Sequence, residues 1–312
     1  ELGAPHGAFD ASREAYLMDP RRFDTRQEVE RLGLELRRFG ELADLWRSAL
    51  AHHSTKSDRA LEIDLTTRMA RLLDEQLRDQ EGARQAYADL LALDPPDASL
   101  AREAVQKLCR LHLEAGDELA LIEAKRALLR FCDSADDQVR IRLEVAHIQE
   151  ELRDRIGAAL TYSEVLDLRP SNPQALDALE RLFEEEREWE RLCEVLEHRI
   201  GVTQDARARA WIWRRIGETR RDHLDDVQGS IDAFQSVLDL KVGREDTVHA
   251  LGALVALNER LQRWADVEDG LRRLTALAHG ETERVELLLR TAQVLGKKLG
   301  RGGDALDLLK RV

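Results

Sequence analysis

Leu77, Leu152, Leu224 and Leu299 lie 75, 72 and 75 residues apart, and Gly7, Gly82, Gly157 and Gly229 keep the same beat. A period held through a 312-residue chain constrains the fold more than composition does. Each period has to be a supersecondary unit that buries its apolar face against its neighbours, so counting globular domains by length is the wrong question. The register is present from Leu2, 75 residues before Leu77, and runs through Pro20, Pro95 and Pro170. At the far end Ala305, Leu309 and Val312 repeat the spacing of Ala83, Tyr87 and Leu90. The chain lacks an initiator Met and is expected to begin and end inside a repeat, as a segment of a longer array. The expected segments are 1–20 (a partial repeat, the second helix of a hairpin), 21–95, 96–170, 171–242 and 243–312, the last truncated.

Six prolines and 4% aromatic residues, against 43% hydrophobic and 35% charged residues, suit helices rather than a β-sandwich or a disordered chain. Two helical hairpins are expected in each period, and the second carries the clearer pattern. Ala83, Tyr87, Leu90 and Pro95 recur as Ala158, Tyr162, Val165 and Pro170, then as Ser230, Phe234, Val237 and Val242. Offsets of 4, 3 and 5 place a small residue, an aromatic and an aliphatic on one helical stripe, with proline just past the end where it cannot continue the helix. Ala8, Ser12, Ala15 and Pro20 have the same offsets. This spacing resembles the second helix of tetratricopeptide repeats, and "YADLLALDP" (87–95) and "YSEVLDLRP" (162–170) look typical of that family. The long period resembles the large tetratricopeptide-like proteins of myxobacteria and their relatives, although the family's first-helix Trp-Leu-Gly-Tyr pattern is not kept. The resemblance covers essentially the whole chain. It implies an all-α, right-handed superhelical solenoid of antiparallel helical hairpins, in about four double-hairpin units, with an inner wall built mainly from the first helix of each hairpin.

Helix starts are expected at Asp24, Ser99, Ser171 and Asp246, where a side-chain oxygen would satisfy free backbone N–H groups, with Asp24–Gln27 and Ser171–Gln174 as capping boxes. Asp79, Asp154 and Asp226 are the expected caps of the second helix in the second hairpin. The glycine three positions on is expected to let helices approach closely. In the first hairpin Leu42, Asp117, Trp189 and Trp264 share the register, and the tryptophans are expected to plug the core between hairpins. Asp117 would mark the second unit as differently packed.

Basic residues number 48 and acidic residues 61, a net charge of −13, which disfavours nucleic acid and anionic lipid as partners. Seven lysines against 41 arginines suggest a GC-rich bacterial genome. No run of apolar residues is long enough for a membrane span. Cys109, Cys132 and Cys193 are too scattered for a disulfide framework and read as small hydrophobes. Gly300, Gly302 and Gly303 join two helices rather than a strand and a helix, so they read as a turn and not a phosphate loop. Cys109 and His112 lack a second pair at zinc spacing, His52 and His53 read as solvated, and the carboxylates of "FEEERE" (183–188) read as a helix surface. No catalytic, cofactor or metal site is expected, and no enzyme.

The expected function is a non-catalytic scaffold for a protein or peptide, because stacked hairpins make an extended binding surface. The alternative is a regulatory or sensor arm of a larger multidomain enzyme whose catalytic domain lies outside this segment. A cytoplasmic location is expected, with the periplasm left open. Arg68, Arg215 and Arg290 occupy equivalent positions on the first helix of second hairpins, and Leu143 breaks that ladder in the second unit. Arg102 sits at a similar position in a first hairpin. An acidic or carboxylate-terminated peptide is the ligand expected there, through charge-assisted hydrogen bonds, with solvated or internally paired arginines as the competing reading.

Overall fold

The structure, a computed structural model, describes residues 4–52 and 57–310. Leu2, His53 and Val312 lie outside the described residues. The described residues are helical throughout, with no strand among them. They divide into two compact units, Glu1–Asp154 and Arg155–Val312, a boundary that falls inside segment 96–170.

The first unit holds α1 (Ala4–Met18), α2 (Phe23–Glu35), α3 (Phe39–Ala51), α4 (Arg59–Leu72), α5 (Gln80–Ala92), α6 (Ala98–Ala115), α7 (Glu118–Leu128) and α8 (Ala135–Glu151). The second holds α9 (Arg155–Leu168), α10 (Pro173–Glu185), α11 (Trp189–Val202), α12 (Ala206–Asp222), α13 (Val227–Asp239), α14 (Arg244–Arg260), α15 (Trp264–Leu277), α16 (Glu281–Lys297) and α17 (Gly302–Leu309). Within each unit, consecutive helices joined by short turns pack on one another as antiparallel hairpins.

The small–aromatic–aliphatic stripe is the seam of that packing. Ala83, Tyr87, Leu90, Ala158, Tyr162, Val165, Ser230, Phe234 and Val237 are all buried. Burial of such side chains is worth about 1.5–3 kcal/mol each for the larger ones, which suffices to hold helices of 13–14 residues that would be marginal alone. Ser230 replaces the alanine without penalty because its hydroxyl donates to the Gly217 carbonyl at 2.8 Å. These features make the chain a tetratricopeptide-like helical repeat. In α1 the stripe falls elsewhere than expected: Phe9 and Tyr16 are fully buried, Ala8 is exposed, and Ser12 and Ala15 are half-buried. Tyr16 meets Trp46 of α3 edge-on at 5.5 Å.

Helix starts differ from the expected set. Asp24 and Asp246 sit inside the first turns of α2 and α14, where their charge meets the positive end of the helix dipole instead of capping it. Asp97 caps α6 by accepting from Ser99 N–H, and Asn172, not Ser171, caps α10 by accepting from Ala175 N–H. Asp79 and Asp226 do cap, accepting from Gly82 and Gly229 N–H at 3.0 and 2.9 Å. The recurring glycine belongs to that cap: a Cβ on Gly82 or Gly229 would collide with the capping carboxylate itself. Close helix approach is the role of other glycines, Gly33 against Leu42 and Gly270 against Val255, where an added Cβ would lie 2.5 and 2.6 Å from the facing side chain.

The first-hairpin turns share one backbone motif. Arg37, Gly116, Arg187 and Gln262 adopt φ of 54°, 68°, 58° and 55°, and the next N–H returns to the carbonyl five residues back, as Glu188 does to Phe183 at 2.8 Å. Aligned on this motif, Phe39, Glu118, Trp189 and Trp264 open the second helix, and Leu42 and Asp117 are not their counterparts. Asp117 caps α7, accepting from Ala120 N–H at 3.1 Å. Trp189 and Trp264 are half-buried rather than full plugs: Trp189 stacks on His223, and Trp264 receives the Lys298 ammonium over its ring.

Candidate functional site

The three ladder arginines occupy equivalent places and each reaches back to the preceding first helix. Arg68 on α4 donates to Asp64 at 3.0 Å and to Glu30 of α2. Arg215 on α12 donates to Glu180 and Glu184 of α10 at 2.6 and 2.7 Å. Arg290 on α16 donates to Glu259 of α14 at 2.8 Å. Glu30 and Glu180 hold the same place relative to the left-handed turn residue, as do Glu184 and Glu259. Where Leu143 replaces the arginine, the two acid positions become Cys109 and Leu113, so charge and countercharge are lost together. Each arginine is thus a tie between neighbouring hairpins. Arg102 stands apart from this set and donates to the Phe131 carbonyl, joining α6 to the turn after α7.

Three carboxylates are more deeply engaged. Glu180 accepts from both Arg199 and Arg215, at 2.5 and 2.6 Å. Glu268 meets Arg272 and Arg301 at 2.7 and 2.9 Å. Asp74 accepts from Lys107 and Arg110; burial pushes its carboxyl up, and the two hydrogen bonds outweigh that and hold it below the usual range. Doubly paired carboxylates are structural ties, because breaking one leaves a partly buried charge unmatched. Burial pushes the Cys109 and Cys193 thiols up, as expected of packed rather than reactive cysteines. Among the described residues no three His, Cys, Asp or Glu side chains cluster as a metal site, and no helix is long and apolar enough to cross a membrane.

Sequence reasoning missed a cleft of about 350 Å³ in the second unit, formed where α12 faces the turn between α10 and α11. Its floor is the Trp189 indole, stacked on the His223 ring at 3.8 Å and 8°. Its wall is Trp211, 45% exposed, with the Arg215 guanidinium 5.6 Å from the ring centre. Glu184, Glu218 and Asp222 line the rim. His249 Nε2 lies 2.9 Å from Glu218 Oε1, and Arg221 grips both oxygens of Asp222 and holds its carboxyl below the usual range. Arg214 lines the cleft with only long contacts, 3.9 Å to Glu218 and 3.8 Å to Asp246. The sequence signal was a departure from the repeat. Counted from the left-handed residues Arg78, Arg153 and Gly300 and from Asp225, the positions equivalent to Trp211 hold Asp64, Val139 and Glu286. The fold therefore does not require an aromatic there.

No protein-family model and no curated protein matches the chain. Solved structures do. MamA 41-end from Desulfovibrio magneticus RS-1 is 17% identical, with 59% of this chain and 95% of that chain covered and a TM-score of 0.30. The APC/C hetero-tetramer Cut9-Hcn1 is 14% identical, covering 91% of this chain and 52% of that one, with a TM-score of 0.31. The C-terminal part of a TPR repeat-containing protein from Cytophaga hutchinsonii is 12% identical, with 78% and 93% covered and a TM-score of 0.35. Likeness at this distance leaves the fold resting on the chain's own hairpins.

Proposed function

We propose that the chain is a non-catalytic scaffold for a protein or peptide, built as a tetratricopeptide-like array, and that it engages its partner at the cleft on α12. The observation that carries this reading is Trp211. A large apolar side chain is left half-exposed at a position where the other repeats hold Asp64, Val139 and Glu286, and it stands beside a second, stacked tryptophan. Exposed aromatics in a concave site are typical anchors for a partner.

A second reading, an acidic or carboxylate-terminated peptide held by Arg68, Arg102, Arg215 and Arg290, draws on the equivalence of the ladder arginines. Such a ligand has to replace Glu180, Glu184 or Glu259, which makes its binding an exchange of one carboxylate for another. The experiment is a pair of variants tested against cross-linked partners of the chain. Trp211→Ala is expected to abolish cross-linking with helicity unchanged. Arg68→Ala with Arg290→Ala, which leaves the residues lining the cleft untouched, is expected to weaken it only under the second reading. Full cross-linking in both variants would refute a partner site on this surface.

A further inference from the structure

The cleft has a charge preference of its own. Of the three carboxylates that line it, Asp222 is held on both oxygens by Arg221, which leaves Glu184 and Glu218 to face a ligand, and of the two lining guanidiniums Arg215 is already engaged by Glu180 and Glu184. Glu180 does not line the cleft and is 5% exposed, so it offsets the charge of Arg215 from behind. Glu184 Oε1 and Glu218 Oε2 accept no hydrogen bond among the described residues, since His249 and Arg215 use the opposite oxygens. Arg214 has open donors, but Glu218 and Asp246 flank it, so an anion placed on it would face two carboxylates at once. A cation meets the reverse situation: free acceptors on Glu184 and Glu218 and an exposed indole face. The chain's net charge of −13 extends the same sign over its surface.

We infer that the cleft receives the guanidinium of an arginine side chain presented by a basic peptide segment of the partner. The planar group would lie against the Trp211 indole and donate to Glu184 and Glu218 at the rim. Arginine fits better than lysine because its flat fork both stacks on an aromatic ring and reaches two separated carboxylates, whereas an ammonium is a point charge that stays strongly hydrated. The inference rests on the scaffold reading and specifies the ligand at that site. It runs opposite in charge to the acidic ligand that the arginines alone suggest.

The test uses the chain as it stands, with three labelled Gly-Ser peptides that differ only in a central pair of arginines, lysines or glutamates, followed by fluorescence anisotropy. At low salt the arginine peptide is expected to bind about ten-fold tighter than the glutamate peptide, with lysine between, and to weaken as salt rises. Trp211→Ala and Glu218→Gln should each lower its affinity about ten-fold while the far-UV circular dichroism stays unchanged, and Arg214→Ala should leave it equal or tighter. Preference for the glutamate peptide, equal binding of all three, no saturation by the arginine peptide at millimolar concentration, or an unaffected Trp211→Ala variant would each overturn the inference. The scaffold reading is judged separately by the cross-linking experiment, which does not depend on ligand charge.

Discussion

Arg187 and Gln262 sit at φ of 58° and 55°, in the left-handed region, and close their hairpin turns in the second unit. Both side chains are exposed, and among the described residues no ion pair or side-chain hydrogen bond holds either one in place. A non-glycine residue there costs roughly 1–2 kcal/mol from the approach of Cβ to the carbonyl oxygen. Glycine removes that cost but enlarges the unfolded ensemble, which returns about 0.4–1 kcal/mol. The net expectation is a gain of about 0.5–1 kcal/mol per site, or about 1–2 kcal/mol for the Arg187→Gly, Gln262→Gly double variant. For a folding unit of this size that corresponds to a rise in thermal midpoint of about 3–6 °C, read by circular dichroism at 222 nm. Glu194→Gly is the control: Glu194 is exposed in the interior of α11, so the same residue type there should destabilise by about 1 kcal/mol. A double variant that melts at or below the parent temperature would refute the reasoning, because strain at the turn would then not be the governing term.

The Tyr87 hydroxyl is buried without a hydrogen-bond partner, and burial raises its pKa, while the equivalent Phe234 fills the same seam with no polar atom. Tyr87→Phe is therefore expected to be neutral or stabilising by up to about 1 kcal/mol in urea unfolding, and a loss of that size would contradict the orphaned hydroxyl. His112 has its pKa lowered from 6.5, chiefly by burial, so the fold keeps it neutral while the unfolded chain takes up a proton. Its contribution is fully present above about pH 6.5 and is lost as pH falls towards the folded pKa. The parent should lose more stability between about pH 7 and pH 5 than His112→Gln, and identical profiles would assign the acid sensitivity elsewhere.

The buried stripe was legible because one spacing encodes both helix and seam: a residue that must be small, such as Ala83, and one that must be large, such as Tyr87, cannot trade places. The ladder arginines were legible as equivalents, but their partners were not, since Glu30, Glu180, Glu184 and Glu259 lie on other helices. Caps were misplaced by one to three residues because proline marks where the preceding helix stops, whereas the start depends on which nearby side chain reaches an N–H first, as Asp97 and Asn172 do. Two facts hid behind the beat of 75, 72 and 75 residues. In α1 the neighbours Phe9 and Tyr16, not the in-register Ala8 and Ala15, face the core. The first helices α2, α6, α10 and α14 have 13, 18, 13 and 17 residues, so nearly equal periods enclose unequal parts. The cleft escaped notice for a different reason: it is built from what the repeats do not share.

Those unequal lengths imply a rule for how such a chain grows. Inserting about four residues in a helix turns everything beyond by 400°, which leaves each side chain within about 40° of its former face and about 6 Å further along the axis. Inserting two would swing the seam by about 200° and set leucines into water. Counted from helix start to left-handed turn residue, Phe23 and Arg37 lie 14 positions apart, as do Pro173 and Arg187, whereas Ala98 and Gly116, like Arg244 and Gln262, lie 18 apart. The difference is about one turn, and the seam residues Leu108 and Leu254 remain buried. An array with this property can lengthen a single helix, and so change the surface it presents, without renegotiating its contacts with the next hairpin.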